Sequence, residues 1–233
     1  MWHWAHLVKR ICDPWWENET EWHRAWKDRF PSDWQEIVHF AESGEKHIAD
    51  VKTDQDWVVE FQHSFLNPEE RRARNSFYQK LVWVVNGLRR KTDKIQFSNA
   101  LNKSAAVGVN SPVRRISADE CVLLREWYGS HAPIFFDFGE ATQPEKSVLW
   151  LLFPYAPDGM AYLAPFSRTE FVDIYRNGSQ QKAREFEKLL KDFPGLVLGY
   201  KPAVSVQAQS QTILQPQPNR SYQHKGFGRS RRF

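Results

Sequence analysis

The sequence is poor in the residues that cross-link small extracellular proteins or hold structural zinc. It has only two cysteines, Cys12 and Cys121, too few for a disulfide framework or a four-cysteine zinc site. We interpret both as buried free thiols. No apolar run approaches the ~18 residues of a membrane-spanning helix, and the N-terminal residues lack the basic and apolar regions of a signal peptide. We therefore expect a cytoplasmic protein without a membrane segment.

Acidic residues are missing from Pro194 onward, although the chain as a whole is nearly balanced in charge. That segment is also rich in Gln, Ser and Pro, a composition that buries too little surface to offset chain entropy. We expect residues 194–233 to form a disordered basic tail that contacts nucleic acid phosphates. A solubilising end without a specific partner is the alternative. Its basic residues are Lys201, Arg220, Lys225, Arg229, Arg231 and Arg232.

Aromatic residues are abundant, with 11 Trp and 16 Phe among the 233 residues, which is enough for a sizeable core. A basic, polar stretch at residues 89–94 marks the start of a second zone, so we separate residues 1–87 from residues 88–193. The second of these zones has two strand patterns, at 134–138 and 148–153, and two helical patterns, at 168–175 and 180–192. We expect an α+β extension there, of unknown role. Asp137 is interpreted as an edge or end-of-strand residue.

The first zone alternates helical and strand patterns. Asn18 and Glu21 have the spacing of a capping box, and Asn67-Pro68 is typical of a helix start. The expected order of helix, three strands, helix and strand predicts a mixed α/β sheet with helices packed against it. The predicted segments are 18–30 (helix), 36–40, 46–52 and 57–63 (strands), 67–80 (helix) and 81–85 (a strand buried on both faces).

The second and third strands form a hairpin that brings two carboxylates together. If Thr53 pairs with Trp57, Asp50 lies opposite Glu60, with their Cβ atoms about 4.5–5.5 Å apart. Gln62 follows on the same face. The other face is then apolar, and a shift of one residue would destroy both features. The apolar residues are Ala49, Val51, Val59 and Phe61.

Two carboxylates at that separation repel unless a cation neutralises them, and Mg²⁺ prefers one or two carboxylates with waters and phosphate oxygens. Gln62 could hydrogen-bond an attacking water or a phosphate oxygen. Glu19 lies on the face of the first helix that carries Trp22 and Trp26, which makes it a candidate third acid. An ordinary surface hairpin and a helix-start glutamate are the alternatives for these features.

These residues resemble the competence protein CoiA family. The matching segments are Glu19-Thr20-Glu21-Trp22-His23, Ala49-Asp50-Val51, Glu60-Phe61-Gln62-His63-Ser64, Arg74 with Tyr78, and Val82-Trp83-Val84-Val85. CoiA-like proteins are regarded as PD-(D/E)XK superfamily nucleases associated with DNA processing during transformation. The resemblance implies a restriction-endonuclease-like core in residues 1–87. His3-Trp4-Ala5-His6 is similar to the end of the family's cysteine-containing segment, but no paired cysteines precede it, so we expect no zinc site.

The resemblance also implies roles for individual residues. Asp50 and Glu60 would hold Mg²⁺ (or Mn²⁺), with Glu19 and Gln62 completing the catalytic set. Gln62 stands where many relatives have a lysine. Arg74 would contact a phosphate or pair with an active-site carboxylate, unless it is simply a solvated residue of its helix. The expected nucleic-acid contacts are Arg74, Tyr78, Arg229, Arg231 and Arg232.

The leading hypothesis is a metal-dependent nuclease that hydrolyses DNA phosphodiester bonds. Gln62 and the missing paired cysteines before His3-Trp4-Ala5-His6 motivate an alternative. This is a nucleic-acid-binding recombination accessory protein that kept the fold and lost catalysis. A third hypothesis is a protein-interaction scaffold in which residues 88–193 bind the partner.

Overall fold

The strands form one continuous sheet, with helices on both of its faces. The computed structural model describes residues 19–41, 44, 46–139, 148–154, 158–176 and 180–198. Nine strands and six α-helices lie within them, which confirms the prediction of a mixed α/β protein. In chain order they are α1 (Glu21–Lys27), β1 (Gln35–Phe40), β2 (Lys46–Lys52), β3 (Val58–Gln62), α2 (Pro68–Phe77), β4 (Leu81–Asn86), α3 (Asp93–Lys103), β5 (Ala105–Ala106), β6 (Arg114–Ser117), α4 (Val122–Trp127), β7 (Ile134–Asp137), β8 (Val148–Leu152), β9 (Met160–Ser167), α5 (Arg168–Tyr175) and α6 (Gln180–Leu198).

The strand order is β1-β2-β3-β4-β7-β8-β9-β6-β5. β3, β4 and β7 run parallel, and the remaining neighbours are antiparallel. Every residue of β3 and β4 is buried, as expected for parallel strands covered on both faces. The carboxyl ends of these three strands therefore meet at one edge of the sheet. Gln62, Asn86 and Asp137 lie at this edge.

Two hydrophobic cores lie on opposite faces of the sheet. Alternate residues of β4 enter each core, with Trp83 in the first and Val84 in the second. Helices α2, α3 and α4 cover the first core, whereas Trp26 of α1 and Phe171 of α5 belong to the second. β4 pairs with β7, so the sheet continues across position 87. The division into domains at that position stays a prediction.

The local predictions differ from the structure mainly at helix ends. Thr20, rather than Asn18, is the N-cap of α1: its hydroxyl accepts the His23 N–H at 3.3 Å, and the His23 ring accepts the Thr20 N–H at 3.2 Å. Asn18 lies outside the described residues. α2 ends at Phe77, three residues before the predicted end. None of the described helices combines the length and apolarity that a bilayer crossing requires.

Helix α6 continues past position 194, the predicted start of the tail. Phe193 and Val197, four residues apart, are both buried in the second core, and Pro194 lies within the helix. Packing of this apolar stripe extends the helix to Leu198, because burial offsets the hydrogen bond that proline cannot donate. The predicted tail beyond that residue lies outside the described residues.

Candidate active site

The β2–β3 hairpin has the register that the sequence predicts. Val51 pairs with Val59, Lys52 pairs with Val58, and the Thr53 N–H donates to the Trp57 carbonyl at 2.8 Å. The next pair in this register would be Asp50 and Glu60, but the paired residues of β2 and β3 end at Val51 and Val59. Glu60 and Gln62 are each only 3% exposed, which excludes the interpretation as a water-facing surface hairpin.

The regular backbone hydrogen bonding between β2 and β3 ends at Asp50. Alternate residue pairs of an antiparallel ladder exchange hydrogen bonds, so the Phe61 N–H would next donate to the Ala49 carbonyl. It donates instead to Oδ2 of Asp50, at 2.8 Å. Ala49 then belongs to the first core, although Val51 and Val59 belong to the second. The prediction that Ala49 shares one apolar face with Val51, Val59 and Phe61 is therefore wrong, because β2 diverges from β3 at Asp50.

Asp50 is a half-buried residue whose carboxylate lies close to several charged and polar groups. Burial raises the pKa of its carboxyl, and the Phe61 N–H together with the positive charges of Lys27 and Arg74 partly offsets that rise. Lys27 belongs to α1 and Arg74 to α2. Asp50 is therefore within electrostatic range of a cation from each of the two helices.

The raised pKa of Asp50 predicts that Asp50→Asn stabilises the metal-free protein at neutral pH. Between the unfolded pKa of about 3.9 and the raised folded pKa, the native state binds more protons than the unfolded state, so stability falls as pH rises. Thermal unfolding in EDTA should show a higher melting temperature for the variant at pH 7.5, and a gap that closes near pH 4. A variant less stable than the wild type at pH 7.5 would contradict this account of Asp50.

Glu60 forms a buried ion pair with Arg74. Nη1 of Arg74 lies 2.9 Å from Oε2 of Glu60, and Nη2 lies 2.6 Å from Oε1 of Glu70, one helical turn away. The guanidinium also lies over the Trp83 ring, at 5.7 Å. Burial alone would lower the pKa of Arg74, but Glu60 and Glu70 outweigh it and raise that pKa. Of the three roles considered for Arg74, the structure shows the pairing with a candidate active-site carboxylate.

Glu19 is held by a lysine that the sequence analysis overlooked. The Glu19 carboxylate is in contact with Nζ of Lys27, which also lies 3.0 Å from Glu36 of β1. The hydrogen bond from Lys27 lowers the pKa of Glu19. Burial would lower the pKa of Lys27, yet Glu19, Glu36 and the charge of Asp50 raise it. Lys27 thus interacts with both Glu19 and Asp50. The signal that could have identified Lys27 is its spacing of four from His23, because residues four apart lie on the same face of a helix.

Glu19, Lys27 and Glu36 border an open cleft. The cleft has a volume of about 350 Å³ and is lined by Glu19, Arg24, Lys27, Asp28, Ser32, Gln35 and Glu36. Glu19 faces this cleft with a side chain that is 39% exposed. Its carboxylate is therefore directed to Lys27 and to solvent, and Lys27 in turn lies within electrostatic range of Asp50 on the hairpin.

Side-chain bonds fix the carboxyl end of β3. Nε2 of His23 lies 2.8 Å from the Phe61 carbonyl, which can only accept, so this nitrogen carries the proton. Nε2 of Gln62 donates weakly to Ser64, at 3.3 Å to its Oγ and 3.4 Å to its carbonyl oxygen. Nδ2 of Asn86 lies 2.9 Å from Nδ1 of His63. The end of β3 is therefore connected by hydrogen bonds to α1 and to the end of β4.

Asp137 is a buried connection between the sheet and two helices. It ends β7 in the interior of the sheet, between β4 and β8, so the edge interpretation is wrong and the end-of-strand interpretation is confirmed. Its Oδ2 accepts from the indole N–H groups of Trp22 at 3.0 Å and Trp26 at 2.9 Å, and lies 2.5 Å from Nη2 of Arg168. These bonds position α1, and with it Lys27 and His23.

The other predicted site residues are dispersed. Tyr78 is buried in the first core against the rings of His39 and Phe77, which does not favour a direct contact with nucleic acid. The predicted contacts Arg229, Arg231 and Arg232 lie outside the described residues. Cys121 is a buried free thiol, as predicted, whereas Cys12 lies outside the described residues.

The described residues contain no group of three or more His, Cys, Asp or Glu side chains placed to hold a metal ion. Glu19, Asp50 and Glu60 therefore do not converge as a three-carboxylate centre. Asp50, which accepts the Phe61 N–H, and Glu60, one residue before Phe61, remain as candidate oxygen donors, in line with the one or two carboxylates that proteins commonly provide to Mg²⁺. Arg74, in range of both, carries the neutralising charge.

Comparisons with known proteins add no relative. No family model, no curated protein and no solved structure matches this chain.

Proposed function

We propose that this protein is a metal-dependent nuclease that hydrolyses DNA phosphodiester bonds. One observation carries the proposal: the Asp50 carboxylate accepts the Phe61 N–H, one residue beyond Glu60, and Arg74 pairs with Glu60 within electrostatic range of Asp50. The order α1, β1, β2, β3, α2, β4 supports a restriction-endonuclease-like core, as does the resemblance to the CoiA-like family.

The pair of carboxylates suits Mg²⁺ or Mn²⁺ as the cofactor. Burial penalises the charge of Asp50, so a cation would stabilise the ionised form there. Such an ion lowers the pKa of bound water and stabilises charge on a phosphodiester. The Phe61 N–H holds one oxygen of Asp50, and Arg74 holds one oxygen of Glu60, so both carboxylates are oriented by the protein itself.

Cations on the two helices supply charge that Gln62 cannot. Lys27 and Arg74 both lie within electrostatic range of Asp50, so a substrate phosphate there would be attracted by them. Gln62 would hydrogen-bond a phosphate oxygen or a water, and Glu19 would act indirectly by orienting Lys27.

Replacing Lys27 with methionine is expected to reduce cleavage by about tenfold to a hundredfold, the usual cost of removing an orienting group near a metal site. Lys27→Arg should retain most activity because it preserves the charge. Lys52→Met is the matched control, since Lys52 lies on β2 and pairs with the exposed Asp56. Initial rates on a fluorescent DNA substrate measure the effect, and equal losses for Lys27→Met and Lys52→Met would contradict it.

A second candidate is a nucleic-acid-binding accessory protein without catalysis. The observation that favours it is charge pairing: Arg74 already neutralises Glu60, and Lys27 already neutralises Glu19. The discriminating experiment compares wild type with Asp50→Asn and Glu60→Gln on DNA, with and without Mg²⁺ or Mn²⁺. Cleavage only by the wild type supports the nuclease, and identical traces from the three proteins support the accessory role.

A further inference from the structure

The loop after β3 is held firmly and yet exposes an aromatic ring. The Ser64 carbonyl accepts from Nη1 of Arg89 at 2.8 Å, and Leu66 is buried in the first core. Asn67 caps α2 by accepting the Glu69 N–H at 2.8 Å. Phe65 lies between these fixed points and is 68% exposed. The ring is therefore presented to solvent by a loop whose neighbours are anchored on both sides.

A single exposed apolar residue is ordinary on a protein surface. Phe65 differs because of where it lies, three residues beyond Gln62 and five beyond Glu60. The Arg89–Ser64 bond also ties its loop to the loop after β4, where Leu88 is 37% exposed. Two exposed apolar side chains thus belong to adjacent, connected loops at the carboxyl edge of the parallel strands.

The loop after β4 that carries Leu88 is rich in basic residues. The segment from Gly87 to Lys94 contains four basic residues and one acidic residue. Arg89 and Arg90 pair with Glu126 and Asp93, which fixes the loop. Lys91 and Lys94 are exposed. An exposed ring on one loop and exposed lysines on the loop bonded to it are complementary to single-stranded nucleic acid, whose bases stack on aromatic rings while its phosphates contact cations.

We propose that Phe65, with Leu88 beside it, is a base-stacking surface for single-stranded nucleic acid, and that Lys91 and Lys94 contact the phosphates. The inference rests on the proposed function, because it names the strandedness of the substrate delivered to Asp50 and Glu60. A paired base has no free face for such a ring, so duplex DNA would not use this surface.

The test measures binding of a fluorescent oligo-dT, an oligo-rU and a DNA duplex by anisotropy in EDTA, where metal-dependent cleavage is absent. Phe65→Ala should weaken oligo-dT binding about tenfold, from the ~1–3 kcal/mol of one stacked base, and leave duplex binding unchanged. Phe65→Trp should restore it. Phe40→Ala is the matched control, since Phe40 is 71% exposed on the edge strand β1. Lys91→Gln should lower the salt slope of binding by about 0.7.

Equal oligo-dT affinities for wild type and Phe65→Ala, or equal losses for Phe65→Ala and Phe40→Ala, would overturn the proposal. A parallel cleavage assay in Mg²⁺ separates it from the catalytic proposal. If Asp50→Asn abolishes cleavage while Phe65→Ala binds normally, only the stacking surface is refuted. If Phe65→Ala weakens binding while Asp50→Asn cleaves like the wild type, only the catalytic proposal is refuted. Comparison of oligo-dT with oligo-rU then identifies the preferred sugar.

Discussion

Asp50→Asn and Glu60→Gln are each expected to reduce DNA cleavage in Mg²⁺ by about a thousandfold or more. A bound metal stabilises the transition state by several kcal/mol, and each ~1.4 kcal/mol is a factor of ten in rate. Both substitutions keep the size of the side chain and an oxygen acceptor, so the bonds to the Phe61 N–H and to Arg74 are preserved. Single-turnover rates on a labelled oligonucleotide provide the measurement.

Asp54→Asn is the control for these two variants, because Asp54 is an exposed carboxylate in the turn of the same hairpin. It should cleave at the wild-type rate. Affinity for oligo-dT in EDTA should be preserved in all three variants, which shows that the loss lies in catalysis. Retention of most cleavage by either Asp50→Asn or Glu60→Gln would refute the two-carboxylate site.

Asp137→Ala is expected to destabilise the protein by about 3–5 kcal/mol, the cost of leaving a buried charge without its partner. The substitution removes the acceptor shared by Trp22, Trp26 and Arg168, and Arg168 is itself buried. Because these bonds attach α1 to the sheet, cleavage should fall as well. Urea denaturation monitored by circular dichroism measures the free energy of unfolding.

The contrast is Asp158→Ala, which removes a carboxylate that pairs with Arg115 at the surface. Surface pairs contribute about 0–1 kcal/mol, so its midpoint of unfolding should stay near that of the wild type. The double variant Asp137→Ala with Arg168→Met should be less destabilised than the sum of the single variants, because the unpaired charge is gone. Similar midpoints of unfolding for Asp137→Ala and Asp158→Ala would contradict the proposal that Asp137 attaches α1 to the sheet.

The hairpin shows how far local patterns reach. Alternation of apolar and polar residues around a three-residue turn predicts its register, because a slip of one residue would move every side chain to the wrong face. The divergence of β2 at Asp50 was not predictable in this way. It depends on a competition between two acceptors for one N–H, that of Phe61, which only the folded geometry resolves.

The candidate site shows the opposite limit. Glu19 was expected on the face of the first helix that carries Trp22 and Trp26, but it lies one residue before the N-cap Thr20, outside α1. Its partner is Lys27, which also pairs with Glu36 of β1. Arg74 was expected either at phosphate or at a carboxylate, and its pairing with Glu60 depends on α2 packing over β3. A long charged side chain has several possible partners within reach. Which of them it pairs with depends on how the helices and strands that carry the partners are positioned.

The sequence by itself determined the elements whose signals are local: the hairpin, the buried strand β4, the strands β7 and β8, and the helix α5. Their periodicity and turn residues act over a few residues and need no distant partner. Only the tertiary structure decided the single nine-stranded sheet, the burial of Asp137 and the placement of Lys27 within electrostatic range of Asp50. These features arise because contacts distant in the sequence compete for the same buried donors, acceptors and charges, and no window of the chain contains all the competitors.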